Sequence, residues 1–325
     1  MNVLLWQVGA HRIIRTYQQA AIIYNPNAGR LRRHPSRLAR AEAALKAAGH
    51  KITLAPTSRQ GHATEIAREM ASGGADLVLA AGGDGTINEV LNGLVGSEVA
   101  LGILPFGTAN VLAMETGIGS HAVRAAERVA SWEPVRISVG LLSQPGVAKR
   151  HFLLMAGAGL DAHIVANLNP TLKNMLGKAS YWVAGFSSLL RRFEEMQVSA
   201  NGREYRCGFA LASRVRNYGG DLEIALGASL LADDVELMLF EGAIPFRYLK
   251  YFTGVVLGNT ARMSGVHAIR ANSFDLRPLN GRDVHIQLDG EDCGLLPAHV
   301  EVVPGAVTLL LPAEFLASER KRWTT

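Results

Sequence analysis

Residues 82–86 read Gly-Gly-Asp-Gly-Thr, set between the apolar run ADLVLAAGG and the helix-like run INEVLNGLV. Glycines on a turn from strand to helix let backbone N–H groups converge with no Cβ atoms in the way. The helix N-terminus adds partial positive charge, so the natural guest of such a turn is a phosphate. Asp84 sets a condition on that guest. A carboxylate beside a phosphate is repulsive unless a cation lies between them, which points to a magnesium-bound nucleotide, with Asp84 engaging the ion directly or through water. Thr86 can donate to a phosphate oxygen or cap the helix. Two further turns carry small, hydrogen-bonding residues: NPNAG, with Asn25, Asn27 and Gly29, and PFGTAN, with Gly107, Thr108 and Asn110. One glycine-rich turn alone is most simply a capped turn, whereas three on one sheet edge favour a nucleotide site. Late in the chain, QLDGED places Asp289 and Glu291 two residues apart. Alternate residues leaving a strand point the same way, so both carboxylates can converge on one cleft, with Gly290 permitting the turn. Paired carboxylates suit general-base work.

These residues need a scaffold. In the first half, AAIIYN, HKITLAP, ADLVLAAGG and VALGILPFG read as strands, and SRLARAEAALKAAG, HATEIAREMASGG, INEVLNGLV and HAVRAAERVASW as helices. Strict alternation of strand and helix predicts a doubly wound, mostly parallel sheet covered on both faces. Ligands of such sheets sit beyond the carboxyl ends of the strands, where all three glycine-rich turns fall. Past Trp132 the pattern shifts to short alternating segments, VRISVG, RHFLLMA, CGFALAS, VELMLF, DVHIQLDG and HVEVVPGAVTLLLP. They predict an antiparallel β domain interrupted by two helical stretches, residues 169–193 and 245–259. The expected division is therefore an α/β nucleotide-binding domain over 1–133 and a β-sandwich substrate domain over 134–325, with the C-terminal segment packing back on the first.

Composition narrows the class. With 325 residues the chain exceeds the roughly 250–300 at which single cores stop growing. It is 48% hydrophobic and 19% charged, too apolar for disorder, yet it lacks an apolar run of about 20 residues that would span a bilayer. Cys207 and Cys293 show no paired spacing, which excludes a disulfide framework and a thiolate metal site and fits a reducing cytoplasm. The opening residues carry no signal-peptide pattern, and their role stays unassigned. The net charge of +5 is concentrated in Arg30, Arg32, Arg33, Arg37 and Arg40 and in Arg320, Lys321 and Arg322. A solvated helix face and a frayed tail account for these clusters. The first has no interleaved aromatics for base stacking, so no nucleic-acid partner is expected.

GGDGTINEV followed by LPFGTANVLA resembles the diacylglycerol kinase family of lipid kinases, above all its soluble bacterial members, relatives of sphingosine and ceramide kinases. The resemblance extends over YNPNAG, Thr57 with GHATEIA, GAGLDAHIV, LKNMLGKASYW, NYGG and LDGED. GGDG also occurs in NAD kinases, and a close variant in phosphofructokinases, but the joint order of these strings is specific. The resemblance implies an NAD kinase/phosphofructokinase-like α/β domain, a C-terminal β-sandwich and an active site in the cleft between them. It implies that ATP is held by Asn25, Pro26, Asn27, Ala28, Gly29, Thr57, Gly82, Gly83, Asp84, Gly85, Thr86, Asn88 and Thr108. It further implies that Glu291 accepts the proton of a lipid hydroxyl, while Asp289 orients the site or a metal-bound water. The expected partners are ATP, Mg²⁺ and a lipid at the membrane surface, with peripheral contact at the inner face; a homodimer is compatible with the sequence.

SLLADDVEL resembles a loop that binds a structural magnesium in some bacterial members, through the carbonyls of Leu230 and Val235 and the carboxylate of Asp233. Here Asp233-Asp234 stands where the family commonly has Asp-Gly, which makes the tight loop less assured. GAGLDA fits a dinucleotide fingerprint only weakly, and the histidines show no metal-protease spacing. Residues 172–193 carry apolar residues at helical spacing with basic ends, a pattern of core packing or of lipid contact. Two other functional classes stay open: an NAD kinase-like phosphotransferase, and a non-catalytic regulatory protein that binds lipid or nucleotide.

Overall fold

The computed structural model describes residues 17–159, 194–218, 222–256 and 258–324. The N-terminal segment, most of GAGLDAHIV, all of LKNMLGKASYW and the helical stretch around it, and the glycines of NYGG lie outside the described residues.

The first half builds β1 (Ala20–Tyr24), α1 (Gly29–Arg33), α2 (Ser36–Ala47), β2 (Ile52–Pro56), α3 (His62–Ser72), β3 (Leu77–Gly82), α4 (Asp84–Leu94), β4 (Ala100–Pro105), α5 (Val111–Glu115) and α6 (Ala122–Arg128). Every residue of β3 and β4 is buried, as expected of central parallel strands with helices on both faces. The helices supply amphipathic cover: α3 turns Ala63, Ile66 and Ala67 inward, and α4 buries Ile87, Val90, Leu91 and Leu94. The strands run β2-β1-β3-β4, all parallel. The chain thus leaves β1 towards one edge and returns to β3 on the other side, which makes the gap between β1 and β3 a switch point, where sheets of this kind bind ligands. NPNAG follows β1 and GGDGT follows β3.

The second half builds β5 (Glu133–Gln144), β6 (Val147–Phe152), β7 (Met155–Gly159), β8 (Met196–Ala200), β9 (Arg203–Cys207), β10 (Phe209–Ser213), β11 (Asn217–Tyr218), β12 (Leu222–Glu223) and β13 (Val235–Phe240). It continues with α7 (Pro245–Val256), β14 (Val266–Ala271), β15 (Ser273–Pro278), β16 (His285–Leu288), β17 (Glu291–Leu295), β18 (Ala298–Leu311) and α8 (Ala313–Thr324). One antiparallel sheet runs β14-β13-β10-β7-β16-β17; the other runs β18-β15-β8-β9, with β5 and β6 attached through β18. Met196, Val198, Phe274, Leu276 and Val300 from one sheet pack against Ala210, Ala212, Leu237, Leu239, Ile286 and Leu288 from the other. The alternate residues Phe209, Leu211, Met238 and Phe240 face the opposite way, into the core shared with Tyr248 and Tyr251 of α7. Burial on both faces explains why β13 reads as a nearly unbroken apolar run.

β18 joins the two halves. Its first part pairs with β15 and β5; after a register shift between Val303 and Val307, Thr308 and Leu309 also lie parallel to Ala100 and Leu101 of β4. Pro304 and Gly305 occupy that shift, and a bulge of this kind bends a strand enough to carry it from one sheet direction to another. The C-terminus differs from the frayed tail expected of its basic residues. Residues 313–324 are helical, Arg322 Nη1 donates to the Ala228 carbonyl at 3.0 Å, and Ser229 donates to the buried carboxylate of Glu319.

Candidate active site

The three turns meet at the carboxyl edge of the parallel sheet. The Phe106 and Gly107 N–H groups donate to the Gly82 carbonyl at 3.0 and 2.8 Å, and a Cβ on Gly107 would overlap Gly83 Cα. Arg30 N–H donates to the Phe106 carbonyl at 3.1 Å, and Thr108 Oγ1 lies 3.3 Å from where a Cβ on Gly29 would stand. None of Gly29, Gly82, Gly83, Gly85 or Gly107 has a left-handed φ. Their use is close approach of one backbone to another, not special torsions. Asn25 Oδ1 accepts the Asn27 N–H at 2.9 Å, and the Ala28 N–H returns to the Asn25 carbonyl at 3.0 Å, folding Pro26 into a tight turn. Thr57 N–H donates to the Tyr24 carbonyl at 2.9 Å, which brings it beside the same edge. The Thr86 side chain folds back over Gly82.

Asp84 is placed differently from the simple picture of a free metal carboxylate. Its two oxygens accept the N–H groups of Val111 and Leu112 at 3.1 and 3.3 Å, the first turn of α5. It therefore ties the GGDGT turn to the PFGTAN turn. Burial pushes its pKa above the ordinary carboxylate value, with the backbone N–H groups pulling the other way. In the PFGTAN turn, Asn110 adopts a left-handed φ of 51° and closes a ring with Gly107: Oδ1 accepts the Gly107 N–H at 2.9 Å and Nδ2 donates to its carbonyl at 2.8 Å.

LDGED forms a two-residue hairpin, so Asp289 and Glu291 do not point the same way as alternate residues of one strand would. Leu288 pairs with Glu291, and both Asp289 and Gly290 have positive φ, 49° and 85°, the backbone of a type I′ turn for which Asp-Gly is a preferred pair. The turn sends the two carboxylates to different partners. Asp289 accepts the N–H groups of Leu153, Leu154 and Met155, each at 2.9 Å. Those residues carry the chain from β6 in one sheet to β7 in the other, where buried N–H groups need an acceptor. Asn88 Nδ2 adds a fourth bond to Asp289 at 2.8 Å. Burial pushes the Asp289 pKa up, against the pull of these donors.

Glu291 turns the other way, to the N-terminus of α4. Its Oε1 would lie 2.5 Å from a Cβ on Gly85, so the carboxylate rests directly against the GGDGT turn. Oε2 is bound by Arg150 of β6. With side-chain exposures of 29% for Arg150 and 25% for Glu291, this pair borders solvent. Burial works against the Arg150 charge, and Glu291 more than offsets it, holding the guanidinium above its usual pKa.

Asn88 stands between the halves. Nδ2 donates to Asp289 and to the His151 carbonyl at 2.8 and 3.0 Å, while Oδ1 accepts from Arg150 at 3.3 Å. All of its polar capacity has partners within the chain. Arg150 and the 153–155 amides, the partners of Glu291 and Asp289, are groups that sequence reasoning missed. An arginine within a strand carries no motif, and backbone donors carry none at all. The loop expected to hold a structural metal lies elsewhere: the Leu230 carbonyl accepts from Arg214 at 2.9 Å, Asp233 accepts from Ser138, and Val235 pairs with Ala271.

The donor set where the three turns meet fits a nucleotide phosphate. It offers backbone amides, hydroxyls and a helix N-terminus. Among the described residues no group of three or more His, Cys, Asp or Glu gathers as a cage. Magnesium ordinarily binds through one or two carboxylates plus substrate phosphates.

Residues 19–142 match the diacylglycerol kinase catalytic domain, and residues 155–311 match the YegS C-terminal NAD kinase beta sandwich-like domain. A diacylglycerol kinase of Staphylococcus haemolyticus is 30% identical over 299 residues, covering 87% of this chain and 87% of that protein. The chain belongs to the diacylglycerol kinase family. The diacylglycerol kinase of Bacillus subtilis is 28% identical over 305 residues, 91% of this chain and 97% of its own. The fold agrees with a crystal structure of a diacylglycerol kinase from Bacillus anthracis, with a TM-score of 0.71 at 22% identity over 92% of this chain and 98% of that one. In this family member the α/β half and the antiparallel half are distinct in architecture and continuous through β18.

Proposed function

We propose that the protein is an ATP-dependent lipid kinase that moves the γ-phosphoryl group of ATP onto the hydroxyl of a lipid such as diacylglycerol. One observation carries this reading: Glu291, from the antiparallel half, lies against Gly85 in the phosphate-type turn of the parallel half. A nucleotide phosphate held by that turn would thereby meet a proton acceptor.

Asn25 to Gly29, Thr57, Gly82 to Thr86 and Thr108 would hold ATP, chiefly through backbone N–H groups and hydroxyls. Magnesium bound with ATP would offset the phosphate charge. Phosphoryl transfer asks the protein mainly for positioning and charge compensation. Asp84 supplies positioning, because its bonds to Val111 and Leu112 lock two of the loops together. Asp289 and Asn88 do the same for the hairpin and α4. Glu291 takes the hydroxyl proton as that oxygen bonds to phosphorus and the bond to the ADP oxygen breaks; the proton then leaves through the solvent-facing side of the pair. Arg150 is a positioning residue that holds Glu291 beside the GGDGT turn.

The lipid is met at a membrane surface by peripheral contact at the inner face. Among the described residues no helix is long and apolar enough to cross a membrane. Exposed Val147, which pairs with Gln144, and exposed Leu295, whose carbonyl accepts from the Gln144 side chain at 2.8 Å, support contact on the hairpin side.

The test is phosphate transfer from radiolabelled ATP to diacylglycerol in mixed micelles, with NAD as the competing acceptor. Glu291→Gln is expected to lower kcat by about 10²–10⁴ while ATP binding persists. Labelled NADP without labelled lipid, or undiminished turnover in Glu291→Gln, would reject the assignment.

A further inference from the structure

The family resemblance places a magnesium ion in the loop before β13, held by the carbonyls of Leu230 and Val235 and the carboxylate of Asp233. The side chains of this chain arrange that loop around another cation. Arg214, at the end of β10, is 0% exposed, and its guanidinium points into the loop. Nη2 donates to the carbonyls of Leu230 and Ala232 at 2.9 and 3.1 Å, and Nη1 to that of Asp234 at 3.2 Å. The backbone N–H of Arg214 is pinned to the Leu154 carbonyl at 2.8 Å, so the side chain starts from a fixed point.

The neighbouring acids are engaged as well. Asp233 Oδ1 accepts the Ser138 hydroxyl. Asp234, which stands where glycine is common, is gripped by the fork of Arg270: Nε donates to Oδ2 at 2.8 Å, and Nη2 to Oδ1. Arg270 also donates to the Gly227 carbonyl, closing the loop from its other end. Burial pushes the Arg214 pKa down to about 10, with Asp233 and Asp234 acting in the other direction, so the side chain is a cation at neutral pH. Its charge and three of its donors converge on the carbonyls of Leu230, Ala232 and Asp234; of the groups in the metal set, the Leu230 carbonyl is thus taken by Arg214 and the Asp233 carboxylate by Ser138.

We propose that the Arg214 guanidinium takes the place of the structural metal, so that the 230–235 loop is closed by a side chain and binds no divalent cation. The departure from the family loop at Asp234 then has an explanation. With an internal cation supplied from β10, the loop no longer wraps an ion, and the glycine gives way to an aspartate that pairs with Arg270.

The experiment uses the nucleotide-free full chain, stripped with EDTA, and no readout involves turnover, so it stands apart from the test of lipid kinase activity. Mn²⁺ binding is counted by electron paramagnetic resonance in the wild type and in Asp233→Asn, and Tm is followed with and without millimolar MgCl₂. The expected result is the same Mn²⁺ count in both proteins and a wild-type Tm indifferent to magnesium. A Mn²⁺ site present in the wild type and lost in Asp233→Asn, or a magnesium-induced rise in Tm that Asp233→Asn abolishes, overturns the proposal. Arg214→Ala is expected to lower Tm by several degrees; a Tm equal to the wild type overturns it too. Should Arg214→Ala fail to fold, the manganese comparison decides by itself.

Discussion

Gly85→Ala separates catalysis from stability. The new methyl would stand 2.5 Å from Glu291 Oε1, whereas a carbon and an oxygen in ordinary contact keep about 3.3 Å. The carboxylate must therefore retreat by about 0.8 Å. It sits at the end of a flexible side chain, so the fold can yield there at little cost. Alanine also favours the helix more than glycine does, by up to about 1 kcal/mol, at a position inside α4. Tm is thus expected to hold or to rise by about 2 °C. Catalysis has no such relief. A displacement near 1 Å at a reacting group costs about 10²-fold, or about 2.7 kcal/mol of transition-state stabilisation. The assay is kcat and ATP KM with saturating diacylglycerol, beside a thermal melt monitored by circular dichroism. Glu291→Asp shortens the side chain and removes the clash, so its effect combined with Gly85→Ala should be smaller than the product of the two. A kcat for Gly85→Ala close to the wild type, or a loss of activity matched by a loss of Tm, would refute the argument that Glu291 works from this position.

Three further outcomes follow from the geometry. Arg150→Met should cut kcat about 10-fold or more with little change in ATP KM, and Arg150→Lys should recover part of it; equal loss in both variants would deny Arg150 a positioning role. Asp84→Ala strands the Val111 and Leu112 N–H groups without their acceptors, which should cost about 1–3 kcal/mol in thermal or urea unfolding and raise the ATP KM as the two turns separate. His50 is held below its ordinary pKa of 6.5 by burial, while its Nδ1 accepts the Tyr17 N–H at 3.0 Å. The unfolded imidazole therefore binds a proton first on acidification, and stability is lost as pH falls below about 6.5. In His50→Gln the fall in Tm between about pH 7 and pH 5 should be shallower than in the wild type; an equal slope would exclude His50 as a source of acid sensitivity.

Much of this was legible along the chain because it is local. The alternation of β1 to α6 follows from apolar runs of strand length separated by helix-period segments, and each glycine-rich turn is a property of five or six consecutive residues. The Asp289–Gly290 pair is of the same kind: its hairpin can be read from two residue types. What the amino-acid order alone determined is therefore the two architectures, the edge where the turns lie and the residue types able to handle phosphate and proton. Tertiary structure decided how they are used. The contact of Glu291 with Gly85 spans both halves of the chain, Asp84 finds its partners on α5, Asp289 faces the amides of a sheet crossing, and Arg214 fills a loop that begins sixteen residues later. Each depends on which side chain reaches a buried group first. That outcome is set by packing among segments distant in sequence, and no local pattern encodes it.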